Sequence, residues 1–137
     1  MAVTNTAVFP QAPMKGLVQI VNADSTGKKT AYTAGANGSK VVGLNVCSDD
    51  TSNRTLQVFI TRSATDYLIG TAVITTLAGT DGSTLPIDAL ALVPGLPVDN
   101  DGQRYLLLQS GDTLRVAVTG AVTAAKTVHV ATDAADF

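Results

Sequence analysis

The stretch RYLLLQSGDTLRVAVT, residues 104–119, shows the strand-and-turn pattern that recurs along this chain. Its second half alternates: Leu114, Val116 and Val118 point to one side, and the residues between them point to the other, which is the pattern of a half-buried strand. The first half, Arg104–Gln109, is a short apolar run. Between the two runs, Gly111-Asp112 supplies the residues that turns prefer, because glycine adopts unusual dihedrals and aspartate bonds nearby backbone amides. We therefore predict two strands joined as a hairpin, in which the Gly-Asp pair is a turn and not a ligand site.

Similar short runs, separated by turn residues, recur along the whole chain. Strands are predicted at 17–21, 29–33, 40–47, 54–62, 67–75, 104–109, 113–119 and 126–132. Threonine, valine and isoleucine are abundant, and β-branched side chains suit a pleated surface. About eight short strands predict an all-β fold, a β-sandwich of the jelly-roll type, although other sandwich topologies stay open because strand order cannot be read from the sequence.

Two segments fall outside this strand pattern. Residues 1–16 contain Phe9-Pro10-Gln11-Ala12-Pro13 and are predicted to form an extended N-terminal arm, since each proline fixes its own φ and keeps its neighbour out of helix. The remainder, 17–137, is predicted to be one sandwich domain. Within it, 76–102 is a long irregular loop, in which Pro86–Val93 is compatible with a short helix. A loop of this length usually has a function or carries structure of its own.

Composition narrows the classes of function. A chain of 137 residues with 45% hydrophobic and 15% charged residues is expected to fold as a globular domain without disulfide or metal. The net charge of −2, with Lys28-Lys29 as the densest basic cluster, argues against a nucleic-acid partner. No stretch approaches the ~20 apolar residues of a membrane span, and the N-terminus does not resemble an export signal. We expect synthesis in a cytoplasm, with neither nucleic acid nor membrane as partner.

The sequence contains no complete motif for phosphate binding or catalysis. Gly27-Lys28 lacks the first glycine and the helix of a phosphate loop. Cys47 is the only cysteine, and His129, between Val128 and Val130, is predicted to face outward. No nucleophile elbow is present. We predict that the protein is not an enzyme and that it has no catalytic residue, metal or cofactor.

A binding module is the rival hypothesis from another class. In it, Asp99-Asn100-Asp101-Gly102 would hold calcium, and Tyr67 or Tyr105 would stack against a sugar. Against it, the ligand spacing of a helix–loop–helix calcium site puts Pro97 and Leu108 at ligand positions, and the chain has no tryptophan. An Asx-type turn explains the cluster more simply.

The chain also resembles a family. The stretches that carry the resemblance are FPQAP (9–13), VNADSTGKKTAYTAGANGSKV (21–41), YLIGTAV (67–73), GLPVDNDGQRYLLLQSGDTL (95–114) and ADF (135–137). They are similar to small virion proteins encoded beside the major capsid gene in tailed bacteriophages and prophages. The resemblance implies a capsid cement (decoration) protein, located on the capsid exterior of the virion and made in the cytoplasm of the bacterial host. A tail or head-fibre component is the nearer alternative.

The resemblance also implies partners. A cement protein binds the major capsid protein and bridges its neighbouring copies, and it is expected to be a homo-oligomer, a dimer or trimer, at symmetry axes of the shell. We predict Phe9, Pro10 and Pro13 as anchors of the arm: the prolines reduce the entropy lost on docking, and the phenylalanine offers area to bury. The alternative, a disordered tail, stays open.

Overall fold

Nine strands form two antiparallel sheets in the computed structural model, which describes residues 10–137. The strands are β1 Ala12–Val21, β2 Lys29–Thr33, β3 Ser39–Ser48, β4 Arg54–Arg62, β5 Thr65–Ile74, β6 Ile87–Asp88, β7 Leu106–Leu108, β8 Thr113–Val118 and β9 Thr127–Asp136. A single turn of 3₁₀ helix, Asn22–Asp24, follows β1. No helix in the described range is long and apolar enough to cross a membrane.

The strand order is non-sequential in both sheets. Sheet 1 has the order β1-β9-β3, with the short strands β6 and β7 both pairing with the far side of β3. Sheet 2 has the order β2-β8-β4-β5. The predicted all-β sandwich is confirmed. Its jelly-roll form stays a prediction.

The core lies between the sheets and follows the predicted alternation. Leu114, Val116 and Val118 of β8 are fully buried, and so are Leu56 and Val58 of β4. They meet inward-facing side chains of sheet 1, namely Ile20, Val41, Leu44, Val46, Val128 and Val130. Full burial of such a side chain stabilises the fold by about 1.5–3 kcal/mol. The residues that alternate with these buried side chains therefore face outward and form the outer faces of the two sheets.

The predicted hairpin at residues 104–119 is wrong, although its turn is confirmed. Gly111 has φ +85°, and the Asp112 amide donates to the carbonyl of Gln109 at 3.0 Å. However, β7 pairs with β3 in sheet 1, whereas β8 pairs with β2 and β4 in sheet 2. The Asp112 side chain is only 1% exposed and accepts two bonds of 2.7 Å from Arg62 on β4. This ion pair, between the buried carboxylate and the half-exposed Arg62 side chain, holds the turn at sheet 2, so the chain changes sheet there.

The short helix with which Pro86–Val93 is compatible does not form. Ile87 and Asp88 pair with β3, and the following residues form turns. The Ala89 amide donates to the carbonyl of Leu44 at 2.9 Å, and Oδ1 of Asp88 accepts from the Leu44 amide at 3.2 Å. Bonds to β3 therefore replace the bonds within the segment that a helix requires.

The first strand begins earlier than predicted. β1 starts at Ala12 rather than Leu17 and pairs with β9 over ten residues without a register shift. Residues 12–16 thus belong to sheet 1 and not to an arm. Pro13 is tolerated because β1 is an edge strand, where a missing amide donor leaves no ladder bond unmade. Residues 1–9, including Phe9, lie outside the described part of the chain.

Candidate functional site

The outer face of sheet 1 carries a shallow groove at β1, β9 and β3. Register places Leu17, Ala131 and Asn45 side by side on the three strands. The next row across the same strands consists of Gln19, His129 and Cys47. Together with Val18 and Val130 these residues line a groove of about 500 Å³. We call this surface the β1 groove.

The polar row of the β1 groove contains no lysine, arginine or carboxylate side chain. Nε2 of Gln19 lies 3.4 Å from Nδ1 of His129, and the Asn45 amide lies 3.8 Å from the Cys47 sulfur. Leu17 stands beside this row with 75% of its surface exposed. The groove therefore offers one large apolar side chain and several neutral donors and acceptors, which suits contact with protein backbone and uncharged side chains.

Cys47 and His129 are neighbours, which the sequence offers no reason to expect. They lie directly opposite each other on β3 and β9, and His129 is exposed as predicted. Covalent catalysis by such a pair requires a third group that orients the histidine. Among residues 10–137 the His129 ring bonds the side-chain amide of Gln19 and no carboxylate. The described residues therefore supply no such third group.

A single ion pair borders the groove. Nζ of Lys15 lies 2.8 Å from Oδ1 of Asp133 on the adjacent strand, and both side chains are about half exposed. Exposed pairs of this kind contribute about 0–1 kcal/mol. Their charges satisfy each other, so this part of the face presents little net charge to a partner.

Beyond the ion pair lies a further row, which contains one of the predicted anchors. Pro13, Ala135, Lys40 and Leu107 are neighbours across β1, β9, β3 and β7. Pro13 and Leu107 are exposed, and Pro10 is exposed just before β1 begins. The structure therefore places Pro13 on the same face as the β1 groove, and Pro10 at the start of the strand that forms its edge.

The outer face of sheet 2 differs, because its charges and its aromatic ring are already paired. Nζ of Lys28 lies 4.8 Å from the ring centre of Phe59 and 3.1 Å from a carboxylate oxygen of Asp66. Arg115 approaches the other oxygen of Asp66 at 3.4 Å. Hydrogen bonds from Thr61 and then from Lys28 lower the pKa of Asp66. The carboxylate and the ammonium of this face are thus paired within the chain, while Leu68 and Val73 of β5 add exposed apolar area, each at 53%.

The most deeply buried carboxylate serves the fold. Asp50 is fully buried and accepts from Nε of Arg54 at 2.7 Å, from the Ser52 amide at 3.0 Å, and from the amide and hydroxyl of Thr123 at 3.0 and 2.7 Å. Burial alone would raise its pKa, but these hydrogen bonds outweigh it and hold the pKa far below the ordinary value. Asp50 thereby ties the β3–β4 loop to the β8–β9 loop and is not available as an acid or base.

The Asp99–Gly102 segment, which the rival hypothesis assigns to calcium, forms hydrogen bonds with its own backbone. Oδ1 of Asp99 accepts from the amides of Asp101 at 3.0 Å and of Gln103 at 2.9 Å, which confirms an Asx-type turn. Over residues 10–137 no group of three or more histidine, cysteine, aspartate or glutamate side chains is arranged to hold a metal ion. Of the two tyrosines of the rival hypothesis, Tyr105 has the ammonium of Lys40 4.6 Å from its ring centre, and Tyr67 is exposed on β5.

The Gly27-Lys28 segment is a turn as well. The Gly27 amide donates to the carbonyl of Asp24 at 2.8 Å. The neighbouring Lys29 bonds the Asp24 carboxylate at 3.1 Å and the carbonyl of Gln19 at 2.6 Å. These lysines therefore have structural partners within the chain.

Comparison with known proteins finds structural likeness at low sequence identity. No protein-family model matches the chain, and no curated protein sequence matches it. A chain in the capsid asymmetric unit of cyanophage Pam1 is similar over 100% of this chain and 94% of its own length, with 20% identity and a TM-score of 0.47. A likeness of this size carries no argument about function.

Three groove residues, Leu17, Gln19 and Asn45, were not singled out from the sequence. Alternation within Leu17–Val21 does separate Leu17 and Gln19 from Val18 and Ile20. It does not show which pair faces the core, since both pairs contain an apolar residue. Only the pairing with β9 decides that Leu17 faces out.

Proposed function

We propose that this protein is a structural component of a tailed-phage virion, which binds the outer surface of the capsid and stabilises it by bridging neighbouring major capsid subunits. The proposal rests on the resemblance carried by residues 9–137. The observation that carries it in the structure is the β1 groove: a face without lysine, arginine or carboxylate side chains in its lining, with Leu17 75% exposed, next to an edge strand that continues toward Pro10.

The chemistry of this face supports contact with protein. Fully buried centres of interfaces are depleted in charge and rich in apolar area, while the rim is polar. Leu17 and Leu107 supply apolar area, and the Lys15–Asp133 pair lies between their rows. The deeply buried carboxylates Asp50 and Asp112 are each engaged in an ion pair that holds a loop. A role based on surface contact therefore fits the described residues better than catalysis does.

Repetition would make modest contacts sufficient. On a shell, each copy meets the same subunits, and an oligomer engages several of them at once, so that its overall affinity exceeds that of one contact by orders of magnitude. We propose a dimer or trimer, because closed symmetric oligomers match the symmetry axes of a shell.

Purified protein and expanded shells that lack it provide the test. The protein is expected to co-sediment with the shells and to raise the temperature at which they disrupt. Leu17→Lys should weaken binding, since it puts an extra charge into the groove. Val73→Lys is the matched control, because Val73 is also exposed, at 53%, but lies on β5 in sheet 2. Shells that neither bind the protein nor gain thermal resistance would refute the proposal, and equal binding by the two variants would refute the role of the groove.

A further inference from the structure

We infer that the free edge of β1, from Pro13 to Leu17, takes up a short extended segment of a partner chain as an added strand. The inference rests on the proposed function, since it takes that partner to be a shell subunit. In this mode of recognition, main-chain hydrogen bonds supply affinity and alternate side chains supply specificity.

The direction of the backbone groups follows from two side-chain contacts. The carbonyl of Gln19 accepts from Nζ of Lys29 at 2.6 Å, and the amide of Val21 donates to Oδ2 of Asp24 at 2.8 Å. Both groups therefore point away from β9. In an antiparallel pair alternate residues bond the neighbouring strand, so the amides and carbonyls of Lys15 and Leu17 also point away from β9.

These groups are not used by the fold described for residues 10–137. The turn, loop and side-chain hydrogen bonds of that range include none at the backbone of Lys15 or Leu17. Pro13 adds an outward carbonyl but has no amide to donate. The edge of β1 thus offers the alternating donors and acceptors that an extended segment requires.

The other sheet edges carry bulges, short length or covering strands, which β1 lacks. Proteins protect edge strands with these devices and also with prolines and charged side chains. β1 has Pro13 and Lys15, but the Lys15 ammonium is paired with Asp133 at 2.8 Å. β5 pairs across a bulge in the β4–β5 ladder, and β2 is only five residues long with a bulge of its own. The far side of β3 is covered by strands of two and three residues. β1 is ten residues long and pairs without a register shift.

Length identifies the occupant as a short strand. Lys29 and Asp24 occupy the edge from Gln19 onward, which leaves a window of five residues, about 17 Å at the rise of a strand. A second copy of β1 that paired over all ten residues would run into the Lys29 side chain. A segment of three to five residues from another chain fits.

Two features of the window set the side chains of that segment. On the groove side, alternate residues would lie beside Leu17, which favours apolar ones. On the inner side, the two sheets approach so closely that a Cβ on Gly16 would come within 1.9 Å of the carbonyl oxygen of Ala31. Residues on that side of the segment must therefore be small.

Two substitutions at one position separate main-chain from side-chain contact. Leu17→Ala removes most of the side chain and keeps the outward amide, whereas Leu17→Pro also removes the amide. We expect Leu17→Pro to bind expanded shells roughly tenfold more weakly than Leu17→Ala, the effect of one or two lost hydrogen bonds. Both isolated variants should melt within a few degrees of each other, because the amide that proline removes bonds nothing in the described fold. Amide hydrogen exchange on the wild-type protein gives an independent readout: Lys15 and Leu17 should exchange more slowly on shells than free.

The outcomes distinguish the two proposals. Wild-type protein that does not bind shells overturns the proposed function and, with it, the occupant. Wild-type protein that binds, with equal affinities for both variants and unchanged exchange at Lys15 and Leu17, overturns the strand addition alone. A free protein whose mass in sedimentation falls on Leu17→Pro shows that a second copy occupies the edge, which also overturns the inference.

Discussion

Removing the Asp50 carboxylate should lower the free energy of unfolding more than removing any exposed charge of this protein. The side chain is fully buried and ties Arg54, Ser52 and Thr123 together through hydrogen bonds of 2.7–3.0 Å. In Asp50→Ala, the Arg54 guanidinium, which is 19% exposed, keeps its charge but loses this carboxylate. Breaking a buried pair from one side costs about 3–5 kcal/mol. Domains have only about 5–15 kcal/mol in total, so a large part of the stability should be lost.

Urea unfolding at neutral pH measures this loss. The midpoint should fall while the slope with denaturant stays unchanged, because the substitution alters stability and not the surface exposed on unfolding. Asp133→Asn is the control, since Asp133 also pairs with a cation but is 48% exposed, and it should cost about 0–1 kcal/mol. A double-mutant cycle with Arg54→Ala isolates the pair itself. A loss below about 1 kcal/mol for Asp50→Ala would contradict the reasoning from burial.

The same network predicts how stability depends on acid. The pKa of Asp50 is lower in the folded chain than its ordinary value of 3.8. The unfolded chain therefore binds a proton more readily, so the contribution of Asp50 is complete above about pH 4 and is lost as the pH falls toward the folded pKa. Asp50→Asn should show a shallower loss of stability between neutral pH and pH 2 than the wild type. An unchanged acid profile would show that other carboxylates dominate.

Two further predictions concern packing and the end of β9. Gly16→Ala should destabilise the fold by at least about 3 kcal/mol in urea unfolding, because the new Cβ would meet the Ala31 carbonyl oxygen at 1.9 Å. The control Gly95→Ala should be nearly neutral, since nothing lies within 4 Å of its Cβ. Similar losses for both variants would contradict the close approach of β1 and β2. Tyr32→Phe should cost about 1 kcal/mol, because the Tyr32 hydroxyl donates to the Asp136 carboxylate at 2.5 Å, and an unchanged melting temperature would show that this bond does not contribute.

Features determined within a few residues could be predicted from the sequence. Strands 29–33 and 54–62 begin and end where predicted, since alternation and β-branched side chains act locally. The turn at Gly111 is also local, because it depends on one glycine with positive φ and one aspartate that bonds its neighbours.

The predictions from sequence were wrong where contacts with residues distant in the chain determine the structure. A hairpin at residues 104–119 satisfies every local preference, but the bond from Arg62 to Asp112 holds the turn at the other sheet. The start of β1 depends on β9, which continues to Asp136 and so supplies partners as far back as Ala12. The segment at Pro86–Val93 pairs with β3 for the same reason.

The fold class, the two-residue period of the strands and the scarcity of chemical motifs follow from the amino-acid sequence. The β1 groove, in contrast, follows from the pairing of strands. Gln19 and His129 lie 110 positions apart in the chain, and Cys47 meets them only through the register of β9 between β1 and β3. The physical reason is that periodicity states which residues share a face of one strand, whereas the pairing of strands, set by burial of the whole core, decides which faces become one surface.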